Sequence, residues 1–236
     1  MFGFELDQGE NSKIISFIDE VKNIEGTCLI AYKKVRLANV NDVASFKSAI
    51  ESSSKTYDNN GYISVLDEQK NIVARTFVSN IKIIKSKHNN ITFLGHVWQH
   101  PKGFQKALNM KINNEITKKS IWKTFKKDEL QGWLVCALNN SNNNTPKTNI
   151  TIQIDGNEFH NLDSFLCTLG EEIHGPGGYF GRNLASLYDC LRGDFGVESV
   201  SELIWINHRT SKKLFKSKFT EILEIFKNYN VKVSLN

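Results

Sequence analysis

The chain has 236 residues, of which 40% are hydrophobic and 23% charged. That composition excludes global disorder and suits two modest domains. The formal charge of +5 is uneven: residues 1–148 hold 21 Lys+Arg against 14 Asp+Glu, and residues 149–236 hold 9 against 11. Two parts with different partners are therefore expected.

No apolar run approaches the roughly 18 residues that a membrane helix needs. The first ten residues lack the basic and then apolar pattern of a signal peptide. Cys28, Cys136, Cys167 and Cys190 sit in apolar settings without a short metal-ligand spacing, so reduced core thiols are expected. A cytoplasmic chain follows, with no membrane partner, metal or cofactor. The sequons at Asn90, Asn139, Asn143 and Asn149 are then incidental.

In chain order, Ile14, Ile15, Ile18, Val21 and Ile24 lie near one helical face, with Ser12 as a cap and strand as an alternative over Lys13 to Ile18. Thr27 to Val35 reads as a strand. Asn41 is placed to cap a second helix that buries Val43, Phe46, Ala49 and Ile50 and ends at Ser52. Tyr62 to Val97 reads as an antiparallel meander. Its strands begin at Tyr62, Ile72, Ile81 and Ile91, with turns at Asp67 to Asn71 and at His88 to Asn90. Between Lys102 and Lys127 lie eight lysines and one acid, Glu115, with Phe104, Trp122 and Phe125 interleaved. Leu130 to Leu138 is a buried strand candidate. An α+β domain over residues 1–138 is expected.

Asn139 to Thr148 offers nothing to bury and reads as a linker. Beyond it, Ile150 to Ile154 is a strand, and Leu162, Phe165, Leu166, Leu169 and Ile173 form one helical stripe. Leu203 to Ile206 is a second strand and His208 to Phe215 a short helix. Phe219, Ile222, Leu223, Ile225 and Phe226 mark a last helix, and Val231 to Leu235 a last strand. Strands separated by helices pair in parallel. Residues 149–236 are thus expected to form a small three-stranded α/β domain.

Within that domain, Gly175 to Leu191 is a glycine-rich loop feeding a short helix. Asn183 can cap the helix, and Leu184, Leu187 and Leu191 share a stripe. Tyr188 and Asp189 fall off that stripe. Tyr179, Phe180, Gly181, Asn183, Leu184, Leu187, Tyr188, Asp189, Cys190 and Leu191 together resemble the central motif of the barstar family, inhibitors of the ribonuclease barnase. Ile152 to Phe159, Leu203 to Ile206 and Val231 to Leu235 fit the flanking elements of the family, so the resemblance spans Asn149 to Asn236.

The resemblance implies a barstar-like fold and a bacterial immunity protein or antitoxin, acting by stoichiometric binding to a nuclease toxin. Tyr179, Phe180, Gly181, Asn183, Ala185, Tyr188 and Asp189 are the implied partner-binding residues. Asp189 would take the role of the carboxylate that mimics phosphate in the nuclease cleft. This chain departs from the family in charge. The helix's other carboxylate falls at Ala185, an acid becomes Arg182, a further interface acid becomes Asn228, and a tryptophan becomes Tyr188.

Enzyme signatures are lacking. Gly175 and Gly177 follow a helix and are not completed by a third glycine, since Phe180 stands in its place. His96 and His100 lack a third ligand, and Glu171 and Glu172 point apart on a helix. The rival reading is a nucleic-acid-associated regulatory protein that contacts its ligand through Lys118, Lys119, Lys123, Lys126 and Lys127. Against it stands the ordinary solvated face, with Ile112, Ile116, Trp122 and Phe125 packed inward.

Overall fold

The structure is a computed structural model that describes residues 1–7, 13–24, 29–53, 59–138, 146–193 and 195–236. Ser12, Cys28 and residues 139–145 of the expected linker lie outside the described residues. The chain divides into two compact units, Met1–Pro101 and Lys102–Asn236. Residues 102–138, read from sequence as the end of the first domain, pack within the second unit.

The first unit is a closed antiparallel barrel of six strands, not the simple meander expected. The strands are β1 (Phe2–Leu6), β2 (Ile14–Lys22), β3 (Ile30–Val40), β4 (Gly61–Leu66), β5 (Ile72–Lys87) and β6 (Asn90–Trp98), in the order β1-β2-β3-β6-β5-β4. The meander is present as β4, β5 and β6. Closure comes from two non-local pairings. β1 pairs with β4, aligning Phe4 with Ile63, and β3 pairs with β6, aligning Val35 with Phe93. Closing the sheet gives each of its six strands, among the described residues, a neighbouring strand on both sides.

β2 is a strand over the stretch whose spacing predicts a helix, extending past the alternative strand at Lys13 to Ile18, because β-branched isoleucines suit the pleated surface better. β5 runs through Val78 to Ile81 without a break. Its register shifts, between Ser79 and Lys82 and again between Ile83 and Lys85, bend one long strand where the sequence reads as two. Helix α1 (Val43–Ser53) lays Phe46 and Ile50 into a core with Phe4, Ile18, Leu37, Ile63, Val78, Phe93 and Val97. Its cap is Asp42, whose carboxylate accepts the Ser45 N–H at 2.8 Å. Asn41, the expected cap, instead accepts the Phe17 N–H at 2.7 Å.

The second unit contains the expected three-stranded parallel sheet, β7 (Ile150–Asp155), β8 (Val200–Ile206) and β9 (Lys232–Leu235), in that order. Its helices are α4 (Leu162–His174), α5 (Leu184–Leu191), α6 (His208–Phe215) and α7 (Ser217–Asn228), preceded by α2 (Phe104–Ile112) and α3 (Leu130–Leu138). Leu130–Leu138 is therefore a helix and not a strand. Seven of its nine residues are buried, so its sequence is apolar all round and carries no period that tells the two apart. The core centres on Trp205, stacked on Phe165 at 5.3 Å and ringed by Phe159 and Phe219. The Trp205 indole N–H donates to Ser211 Oγ at 2.9 Å, which satisfies the polar atom buried with the ring.

Among the described residues no helix is long and apolar enough to cross a membrane, and no cluster of metal-ligating side chains occurs. Cys136, Cys167 and Cys190 are buried thiols, not disulfide-bonded.

Candidate partner-binding site

The site is built from the turn at residues 181–183 and helix α5. Gly181 has φ +100°, and a Cβ there would stand 2.8 Å from the Leu187 backbone nitrogen. Only glycine meets both demands. Asn183 then takes an extended backbone, and its side chain accepts the Ser186 N–H at 2.8 Å. Ser186 Oγ reciprocates by accepting the N–H groups of Asn183 at 3.0 Å and Arg182 at 2.8 Å. This reciprocal cap starts an eight-residue helix too short to persist alone in water. Leu187, Cys190 and Leu191 anchor it in the core, at the i, i+3 and i+4 positions of one buried face.

Burial of that face fixes what the helix shows to solvent. Asp189 keeps half of its side chain exposed, and its carboxylate lies 3.9 Å from the Arg192 guanidinium, a long contact between two solvated groups. Tyr188 is 44% exposed and meets Tyr229, just past the end of α7, edge to face at 4.9 Å. Partial burial, together with the hydrogen bond to Tyr188, pushes the Tyr229 hydroxyl up to about 12. The Tyr229 phenol therefore stays protonated at neutral pH and remains able to donate. Asn183, Ala185, Arg182 and Asn228 are all exposed.

The remaining implied contacts lie inside. Tyr179 is 3% exposed, with its ring edge-on to Phe195 at 5.2 Å, and Phe180 is fully buried. Burial raises the pKa of the Tyr179 phenol, while its hydrogen bond with Ser186 pulls the other way. These two aromatics hold up the turn from beneath. Asn183, Ala185, Tyr188 and Asp189 make the outer surface, and Tyr229, which the sequence reading missed, joins them. Its only sequence signal is an aromatic directly after the last amphipathic helix.

The loop ahead of α5 is braced by residues 102–138. Glu171 on α4 is 2% exposed. It accepts the Ser120 N–H at 2.7 Å, the Trp122 indole N–H at 2.9 Å and the Gly177 N–H at 3.3 Å. Burial raises its pKa, and the three donors oppose the rise. Gln131 on α3 donates to Asp163 Oδ1 at 2.7 Å and to the Arg182 carbonyl at 3.0 Å. Glu171 and Gln131 were not expected as site supports. Glu171 is the one acid among the buried residues of α4, and an acid there signals buried donors.

The lysines proposed for nucleic acid separate into two kinds. Lys119 pairs with Glu172 at 2.8 Å, and Lys123 pairs with Glu158, both carboxylates belonging to the same unit. Lys118, Lys126 and Lys127 are exposed. Trp122 and Phe125 are buried, as a solvated face with an apolar underside requires, and Ile121 joins them. Ile112, expected to pack inward, is instead 41% exposed, and Ile116 is only partly buried.

Comparison with known proteins bears on this same region. The family described as Barstar (barnase inhibitor) matches residues 149–234. The protein named "Putative ribonuclease inhibitor YrdF" from Bacillus subtilis (strain 168) is 34% identical over 74 residues. That alignment takes in 31% of this chain and 78% of the relative.

Proposed function

The chain belongs to the barstar family through residues 149–234, and from that premise we propose that it inhibits a nuclease toxin by stoichiometric binding, as an immunity protein or antitoxin. The observation that carries this reading is Asp189. Its half-exposed carboxylate is presented by a rigidly capped helix, beside an exposed tyrosine and away from any strong internal partner.

A ribonuclease holds its substrate's phosphates with Arg, Lys and His, so its cleft attracts a carboxylate of fixed position. Because α5 is capped and anchored before binding, little ordering entropy opposes docking. Tyr188 and Tyr229 supply a large and already paired aromatic contact next to the charge.

The charges around Asp189 narrow the target. Arg182, Ala185 and Asn228 replace acids that the barstar resemblance implies, and Arg192 adds a cation four ångström away. Such a surface steers a strongly cationic nuclease weakly. The reading is therefore a target whose cleft is less basic than that of barnase, or whose rim carries acids that meet Arg182 and Arg192.

The test titrates purified microbial ribonucleases of the barnase type, and any nuclease encoded beside this chain's gene, with the wild type and with Asp189→Ala. Stoichiometric inhibition that weakens at least ~30-fold in the variant, the lower bound of a binding hot spot, supports the reading. Equal inhibition by both forms refutes the phosphate-mimic role.

A further inference from the structure

The barrel of the first unit turns a second surface outward. On the outer face of β3, β6 and β5, four cross-strand rows follow one another along β6. Trp98 stands opposite Ile30, with the Phe77 ring edge-on at 6.0 Å. His96 lies between Tyr32 and Ser79, its ring 4.9 Å from that of Tyr32. Leu94 lies between Lys34 and Lys82, and Thr92 between Arg36 and Lys85. Tyr32 is 56% exposed, Trp98 44% and Ile30 42%.

One half of this face is thus aromatic and the other half basic, and none of its twelve residues is a carboxylate. Rings left in water over a contiguous area mark an interaction surface, because their burial elsewhere was open to the fold. Rows two residues apart recur at about 6.8 Å along a strand. Flat rings and cations are therefore offered in sequence along one track.

We propose that this face binds single-stranded nucleic acid, with bases stacking on Tyr32, His96 and Trp98 and the phosphate backbone running over Lys34, Arg36, Lys82 and Lys85. Every base presents a flat face to such rings, so the binding tolerates sequence, while the cations neutralise phosphates. A duplex keeps its base faces stacked within itself and leaves the aromatic half without a partner. A second copy of this chain would bring one set of four cations near another. The site belongs to the first unit and does not rest on the inhibitory reading.

The test uses the full chain and a fluorescein-labelled oligouridine of about 15 nucleotides, ample for one small barrel. Binding is read by anisotropy across a salt series. Trp98 is the one exposed tryptophan, Trp122, Trp133 and Trp205 being buried, so quenching of tryptophan emission reports stacking at this face. The expected result is saturable binding that weakens steeply with salt, by a slope of about −0.7 per phosphate engaged. Quenching accompanies it, and Tyr32→Ala or Trp98→Ala weakens binding by roughly fivefold to a hundredfold. Lys34→Gln with Lys82→Gln flattens the salt slope, and a duplex of the same sequence binds more weakly.

Circular dichroism and thermal melting identify any variant that has not folded, and for these Tyr32→Leu and Trp98→Leu serve in place of the alanines. Absence of binding at low salt overturns the proposal. So does binding without quenching that the four substitutions leave unchanged. A dimer in sedimentation that Tyr32→Ala dissolves also overturns it, by assigning the face to a second copy.

Discussion

Trp122 donates its indole N–H to Glu171 Oε2 across 2.9 Å, joining two residues 49 positions apart in sequence. The same oxygen accepts the Ser120 N–H, and the other carboxylate oxygen reaches Gly177 at the start of the loop that leads to α5. One buried carboxylate thus links the segment before the expected linker to the loop that precedes the exposed helix.

Glu171 sets a pH dependence. Its folded-state pKa lies above the usual carboxylate value, burial outweighing its three donors. The folded state then holds the proton more tightly than the unfolded chain does. The stability tied to this proton is fully present below about 4.3, the unfolded value, and is lost as pH rises through the higher folded value. Glu171→Gln removes the titration and weakens one acceptor. The expected outcome is a variant less stable than wild type by about 1–3 kcal/mol. That deficit widens as pH falls from neutral toward the carboxylate range, because only the wild type gains. Urea midpoints for both proteins across that range check it.

Residues 102–138 are expected to be needed for a stable inhibitory unit. A fragment of residues 149–236 leaves Glu171 without the Ser120 and Trp122 donors and strips the Arg182 carbonyl of Gln131. It also exposes the face against which Trp122 and Trp133, each 1% exposed, are packed. The fragment of residues 102–236 should melt cooperatively, and the shorter one should melt at least ~4–8 °C lower, as a loss of roughly 1 kcal/mol or more implies in a domain of that size. Paired calorimetric scans decide the matter.

Ala185 is exposed on the same helix as Asp189. Ala185→Asp puts a second carboxylate on that face at little folding cost, since Asp is favoured near a helix N-terminus. Affinity for a cationic ribonuclease of the barnase type should rise, with the larger part of the gain in the association rate at low salt. Arg182→Glu should act in the same direction. Stopped-flow association against salt measures both, and an unchanged rate would argue that docking uses another surface.

Gly181→Ala tests whether the turn positions the helix. The substitution puts a Cβ 2.8 Å from the Leu187 nitrogen in a backbone region that alanine disfavours. A loss of about 1–3 kcal/mol in stability is expected. Inhibition should fall by more than the unfolded fraction explains, because the shift displaces Tyr188 and Asp189 together. Comparing active-site titration with the folded fraction from circular dichroism separates the two effects.

The second unit was more legible in the sequence than the first, for a physical reason. Its strands and helices alternate, each apolar stripe repeats with the period of a helical turn or a pleat, and parallel pairing follows from the connections. The motif from Tyr179 to Leu191 carried the cap, the tight turn and the exposed carboxylate in adjacent positions. The barrel is different, because closing it depends on β1 meeting β4 and β3 meeting β6. No local period records those pairings. The all-apolar run at Leu130–Leu138 likewise carries no period, and only its neighbours make it a helix.

What the sequence by itself determined is local. Asn183 and Ser186 specify where α5 starts, Gly181 where the chain turns, and Leu187 and Leu191 which side is buried, so Asp189 had to face outward. What only the tertiary structure decided is which distant residues share a surface. Tyr229 meets Tyr188, Glu171 meets Trp122, and Tyr32, His96 and Trp98 line up on one sheet face. Each of these depends on long-range packing, whose energy comes from burying apolar area between segments far apart in the chain.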